Sequence, residues 1–192
     1  MSTALGQNNY GKSRVRLVKV TRLPNRHDLV DLTVDVALEG DFAAAHVSGD
    51  NTGLLATDTM RNTVYALAQG HDDVADLERF GIRLVEHFLA AGPRVTRARV
   101  RLVAHPWSRL AGEGGAPDPH AFQRGNGGDR VATVVGDASG VSVEAGIDGL
   151  VVLKTTWKNG TFGEVQEGED TRPGVPIPVS YTHLTLPTNR EV

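Results

Sequence analysis

The stretch "LVDLTVDVAL", residues 29–38, decides the fold. Val30, Leu32, Val34, Val36 and Leu38 face one way, and Asp31, Thr33 and Asp35 face the other. A period of two is the mark of a β-strand with one buried and one solvated face. Just upstream, "SRVRLVKVTR", residues 13–22, has the β-branched content of a second strand, with Val15 and Leu17 on one face and Val18 and Val20 on the other. The intervening "LPNRHD" is a turn sequence, so the two strands form a hairpin.

Working downstream, the spacing changes to that of helices. Met60, Val64, Leu67 and Ala68 make one stripe, in a helix that opens on Thr57-Asp58-Thr59, three residues any of which suits a helix cap. Leu77, Phe80, Leu84, Val85 and Phe88 make a second stripe, ended by Gly92-Pro93. His87, in this second helix, is expected to be a packing residue. Residues 95–104 return to period two, with Ala98, Val100, Leu102 and Ala104 opposite Arg97, Arg99 and Arg101. The arginine face is expected to be solvated, with the capacity to pair with the acidic face of the second strand. Residues 111–129, rich in Gly, Pro and Asp, suggest a long loop, followed by strands near 130–136, 140–145 and 149–155. The order β-β-α-α-β-β predicts an α+β fold, an antiparallel sheet with two helices on one face. Residues 157–192 hold no sustained period and read as an irregular tail.

Composition narrows the function. With 192 residues, 40% of them hydrophobic, the chain can build a globular core. A net charge of −3 argues against general nucleic-acid affinity. Cysteine is absent, which removes disulfides, thiolate metal sites and cysteine nucleophiles. The seven histidines show no tight metal spacing, and neither a phosphate-binding loop nor a dinucleotide fingerprint occurs. No apolar run suggests a signal peptide or membrane span, and the terminal Arg-Glu-Val is not a peroxisomal signal, so a cytoplasmic protein is expected.

What remains is the start of the first helix. A helix N-terminus presents unpaired N–H groups and partial positive charge, a natural seat for an anion. The Thr57 hydroxyl could take part in proton transfer only with a basic partner. Lysines are scarce, and Lys12, at the start of the first strand, is the candidate. On local rules alone, Thr57 reads first as a plain cap.

Six stretches taken together resemble urate oxidase (uricase): "YGKSRVRLVKV", "NTGLLATDTMRNTVYALA", "FGIRLVEHFL", "VRLVAHPWSRL", "PDPHAFQR" and "GIDGLVVLKTT", in the family's order across residues 10–156. The resemblance implies a tunnelling fold (T-fold) and oxidation of urate by O2 to 5-hydroxyisourate and H2O2, with no metal or organic cofactor. It matches Lys12 and Thr57 to the family's proton-relay pair, and Asp58 to a residue that contacts urate through its backbone. It also implies a homotetramer whose sites are shared between subunits, with no nucleic-acid or membrane partner. Residues 1–145 correspond to a first T-fold domain and 146–156 to the start of a second. From Trp157 onward the resemblance stops, and residues 157–192 are expected to be non-native. The family's aromatic, Arg, Gln and His that complete the site find no counterpart, and Phe162 does not take the aromatic's role. The expectation is therefore a truncated uricase, poorly soluble or inactive alone. An inert or merely associating fragment, and another T-fold enzyme acting on a purine or pterin, stay open.

Overall fold

A computed structural model describes residue 6, residues 8–125 and 127–152, and the short paired segments at 157–158, 161–162 and 183–184. The first hairpin is longer than its apolar pattern: β1 spans Asn9–Leu23 and β2 Arg26–Gly40, joined by a two-residue turn at Pro24-Asn25. Leu32, Val34, Val36 and Leu38 on β2 are all but sealed from solvent, as the alternation predicts. A short helix α1 (Ala43–Ser48) follows, then α2 (Thr57–Gly70), a 3-10 turn at Asp72–Ala75, and α3 (Leu77–Ala91). Strands β3 (Val95–Ala104), β4 (Trp107–Ala111), β5 (Pro117–Arg124), β6 (Asp129–Asp137) and β7 (Gly140–Asp148) complete the ordered part.

The main sheet is antiparallel in the order β1-β2-β3-β6-β7, extended at its far edge by His183–Leu184 against β7. Both long helices lie on one face. Met60, Val64 and Ala68 of α2, and Leu77, Phe80, Leu84, Val85 and Phe88 of α3, are buried against the apolar face of β2, β3 and β6. Helix α3 starts cleanly because the Asp76 carboxylate accepts a hydrogen bond from the Arg79 amide at 3.0 Å. It also lies very close to the sheet: a Cβ added at Gly81 would stand 2.5 Å from Val134 Cγ2. No helix among the described residues is long and apolar enough to cross a membrane.

Four expectations need correction. Much of 111–129 is not loop: β4 and β5 form a separate two-stranded sheet. Polar side chains, not apolar alternation, hold that hairpin. The Arg109 guanidinium donates to the carbonyls of Asp118 and His27 and to the Asp28 carboxylate at 3.0 Å, and stacks over Phe122. Residues 149–152 are not strand, and the rest of the segment expected there lies outside the described residues. His87 is exposed, its ring only meeting the edge of Phe88. The arginines of β3 do lie opposite acidic residues of β2, Arg101 against Asp35 and Arg97 against Glu39. Ion pairs nonetheless form toward the other edge, Arg97 with Asp137 at 3.8 Å and Arg101 with Asp148 at 3.6 Å. Of the tail expected to be irregular, only the short paired segments lie within the described residues.

Candidate active site

Helix α2 starts without a side-chain cap, which is the fourth correction. The cap position is Ala56, in extended conformation, and Thr57, Asp58 and Thr59 are already the first helical turn. Thr57 is exposed, so its hydroxyl is not used to hold the helix. Asp58 has the right charge for this end of the helix dipole.

Strand β1 meets this helix start. Lys12 Nζ stands 3.7 Å from Asp58 Oδ1, and Arg61, one turn further along α2, reaches the same oxygen at 3.5 Å. Lys12 and Asp58 are thus brought together, whereas the Lys12 ammonium is directed at Asp58 and makes no hydrogen bond to Thr57. The three expected site residues occupy one open patch formed by the start of β1 and the first turn of α2. Asp58 is 69% exposed, so among the described residues the patch is open to solvent.

Tyr10 backs the patch. Its ring packs edge-on against Phe42 at 4.7 Å, and its hydroxyl accepts a hydrogen bond from the Leu55 amide at 2.9 Å. Burial pushes the Tyr10 phenol above its ordinary pKa, with the Leu55 hydrogen bond opposing. Gly11 lets β1 close onto β2: a Cβ there would fall 1.8 Å from the Val36 carbonyl oxygen. Tyr10 and Arg61 escaped the sequence reading. Arg61 carried a usable signal, three residues after Asp58 on one helix face, whereas Tyr10 carried none beyond its place next to Gly11-Lys12.

A second polar cluster sits midway along β2, on the face without helices. His105 Nε2 is 2.8 Å from Thr33 Oγ1, and its Nδ1 is 2.9 Å from Asp129 Oδ2, which Arg124 also reaches. The nearby Asp31 carboxylate, buried to 3% exposure, accepts from Arg16 at 2.7 Å and from the Trp107 indole at 2.9 Å. Charged and neutral donors of this kind are what a buried carboxylate needs. Arg124 and Trp107 belong to β5 and β4, so these bonds fasten the small hairpin onto the main sheet.

A family model described as Uricase matches residues 8–135. The chain belongs to the uricase family. It is 45% identical to the uricase of Arthrobacter globiformis over 79% of this chain and 48% of that protein. Uricase-2 of Phaseolus vulgaris is 38% identical over 78% of this chain and 49% of the relative. The match to the uricase of Dictyostelium discoideum, 33% identical, covers 93% of this chain and 65% of that one, and so extends past residue 156. Among solved structures, the crystal structure of the Arthrobacter globiformis uricase superposes with a TM-score of 0.73 at 39% identity, covering 99% of this chain and 59% of that one. The antiparallel sheet with both long helices on one face is the T-fold arrangement of this family. The chain spans about half the length of the first curated relatives it matches.

Proposed function

We propose that this chain carries the proton-relay side of a urate-oxidising site. The reading is that urate, O2 and water become 5-hydroxyisourate and H2O2, with Lys12 and Thr57 moving the proton and Thr57 and Asp58 contacting the ring. The observation that carries it is the meeting of Lys12 with the first turn of α2, Nζ to Asp58 Oδ1 at 3.7 Å. Urate is an anion, and the N-terminal end of a helix stabilises nearby negative charge by about 0.3–1 kcal/mol. Taking a further proton from urate makes the ring electron-rich enough to reduce O2 without a cofactor. The exposed Thr57 hydroxyl, unused as a cap, is free to serve in that relay.

Among the described residues the patch is open to solvent, and the reading assigns its facing wall to a second subunit of a homotetramer. In the same reading residues 1–145 are the first T-fold domain and residues 146–156 open the second. Strand β1 is an edge of the main sheet and exposes Val18 at 55%, Val20 at 38% and Leu23 at 39%, which fits a surface that another sheet covers.

The test measures urate binding by equilibrium dialysis and urate-dependent O2 uptake, on the chain alone and mixed with intact uricase subunits. Binding that weakens in Lys12→Met and Thr57→Ala is expected, with O2 uptake confined to the mixed sample. A folded chain that neither binds urate nor contributes to turnover supports the inert-fragment reading instead.

A further inference from the structure

Lys12 reaches helix α2 only because the alternation of β1 is reversed part-way along the strand. From the turn backward, Leu17 pairs with Leu32 and Val15 with Val34, each on the helix-covered face. Continued without interruption, that register would set Ser13 opposite Val36 and send Lys12 to the face without helices. Instead Lys12 pairs with Val36 and Tyr10 with Leu38, because β1 carries one extra residue between Lys12 and Val15. This is a β-bulge, and a bulge re-aims every side chain beyond it. Tyr10 and Lys12 are thereby moved onto the helix face, against Phe42 and Asp58 respectively.

The bulge carries an identifiable cost and an identifiable brace. Arg14 has φ of 58°, and among the described residues no other non-glycine has positive φ. A side chain in this left-handed region is strained. Opposing that strain, the Arg14 amide donates a 2.6 Å hydrogen bond to Asp35 Oδ1, from the solvated face of β2. A carboxylate accepting from a backbone amide is among the stronger hydrogen bonds available.

We propose that Asp35 is a positioning residue for Lys12: by holding the Ser13–Arg14 bulge, it sets the strand phase that delivers the lysine to the start of α2. The proposal rests on the functional reading above only for the role of Lys12. The placement itself is tested without urate.

The test is zero-length carbodiimide coupling on the full chain, which joins the Lys12 amine to the Asp58 carboxylate as an amide with loss of water. The cross-linked peptide is quantified by mass spectrometry, and folding is followed by far-UV circular dichroism. Asp35→Ala is expected to lower the Lys12–Asp58 yield by about five- to tenfold. Asp35→Asn, whose amide oxygen can still accept from Arg14, should keep it near the parent value. Arg14→Gly in the Asp35→Ala background should restore it, because glycine adopts positive φ without strain. If Asp35→Ala alone does not fold, deletion of Arg14 in that background replaces it. With the odd residue gone, regular pairing returns Lys12 to the helix face, and folding with a parental yield is expected. A folded Asp35→Ala chain with the parental yield, or failure of both the glycine and the deletion to restore cross-linking, overturns the proposal. Failure of the parent chain to bind urate, with these yields as expected, would instead count against the urate-site reading alone.

Discussion

Substituting Gly81 by Ala tests how the helix layer is seated on the sheet. Gly81 lies inside α3, where glycine costs about 1 kcal/mol relative to alanine by helix propensity alone. Propensity therefore predicts that Gly81→Ala stabilises by that amount. Packing predicts the reverse. The new methyl group would stand 2.5 Å from Val134 Cγ2 and 2.9 Å from Leu102 Cδ1. The leucine tip can swing aside, but Val134 is β-branched, stiff at χ1 and fully buried on β6. Overpacking of this kind costs about 1–3 kcal/mol, so a net destabilisation of about 1 kcal/mol is expected. Val134→Ala alone removes two methyl groups, a loss of about 1.6 kcal/mol before any cavity term. In the double variant the two changes fill and empty the same space, and their costs should fall short of additive by about 1 kcal/mol or more. Urea unfolding of the four chains, followed by far-UV circular dichroism, measures the cycle. A stabilised Gly81→Ala chain, or costs additive within about 0.3 kcal/mol, refutes the close-contact explanation.

Other predictions concern caps, buried donors and acid. Asp76→Ala should cost about 1 kcal/mol of unfolding free energy, since its carboxylate caps α3. Thr57→Ala should stay within about 0.5 kcal/mol in the same urea assay, since α2 does not use that hydroxyl as a cap. Trp107→Phe removes one of two donors to the buried Asp31 carboxylate and should cost about 1–3 kcal/mol in thermal or urea unfolding. The Asp73 carboxyl is held below its ordinary pKa, first by its hydrogen bond from Arg83 at 2.6 Å. A lowered folded pKa contributes stability above the ordinary carboxylate range, and that contribution is lost as pH falls through the folded value. Arg83→Met should therefore raise the acid unfolding midpoint in a pH titration. At neutral pH it should cost less than about 1 kcal/mol, because the pair is partly exposed.

Much of this was legible in the chain itself. The alternation from Val30 to Leu38 and the stripe from Leu77 to Phe88 announce their buried faces, because a sheet or helix repeats its orientation at a constant interval. The hairpin of β4 and β5 was not legible, since Arg109 and Asp118 organise it through individual hydrogen bonds that leave no period. At the candidate site, residue types offered Lys12 and the Thr57-Asp58 helix start as candidates, and the family resemblance gave Lys12, Thr57 and Asp58 their roles. That Asp58, not Thr57, is the side chain meeting Lys12, and that Ala56 occupies the cap position, came only with the coordinates.

The division has a physical origin. Local pattern alone determined the first hairpin, the two long helices and the strand at 95–104, which face of each is apolar, and membership of the uricase family through six ordered stretches. Tertiary structure alone decided the phase of β1, because one extra residue between Lys12 and Val15 inverts the alternation, and nothing in the string of residues says where a strand will bulge. That choice depends on a carboxylate 21 residues away in sequence, Asp35, accepting the amide of Arg14. Contacts so distant along the chain exist only once the sheet has formed, and they determine which way the lysine points.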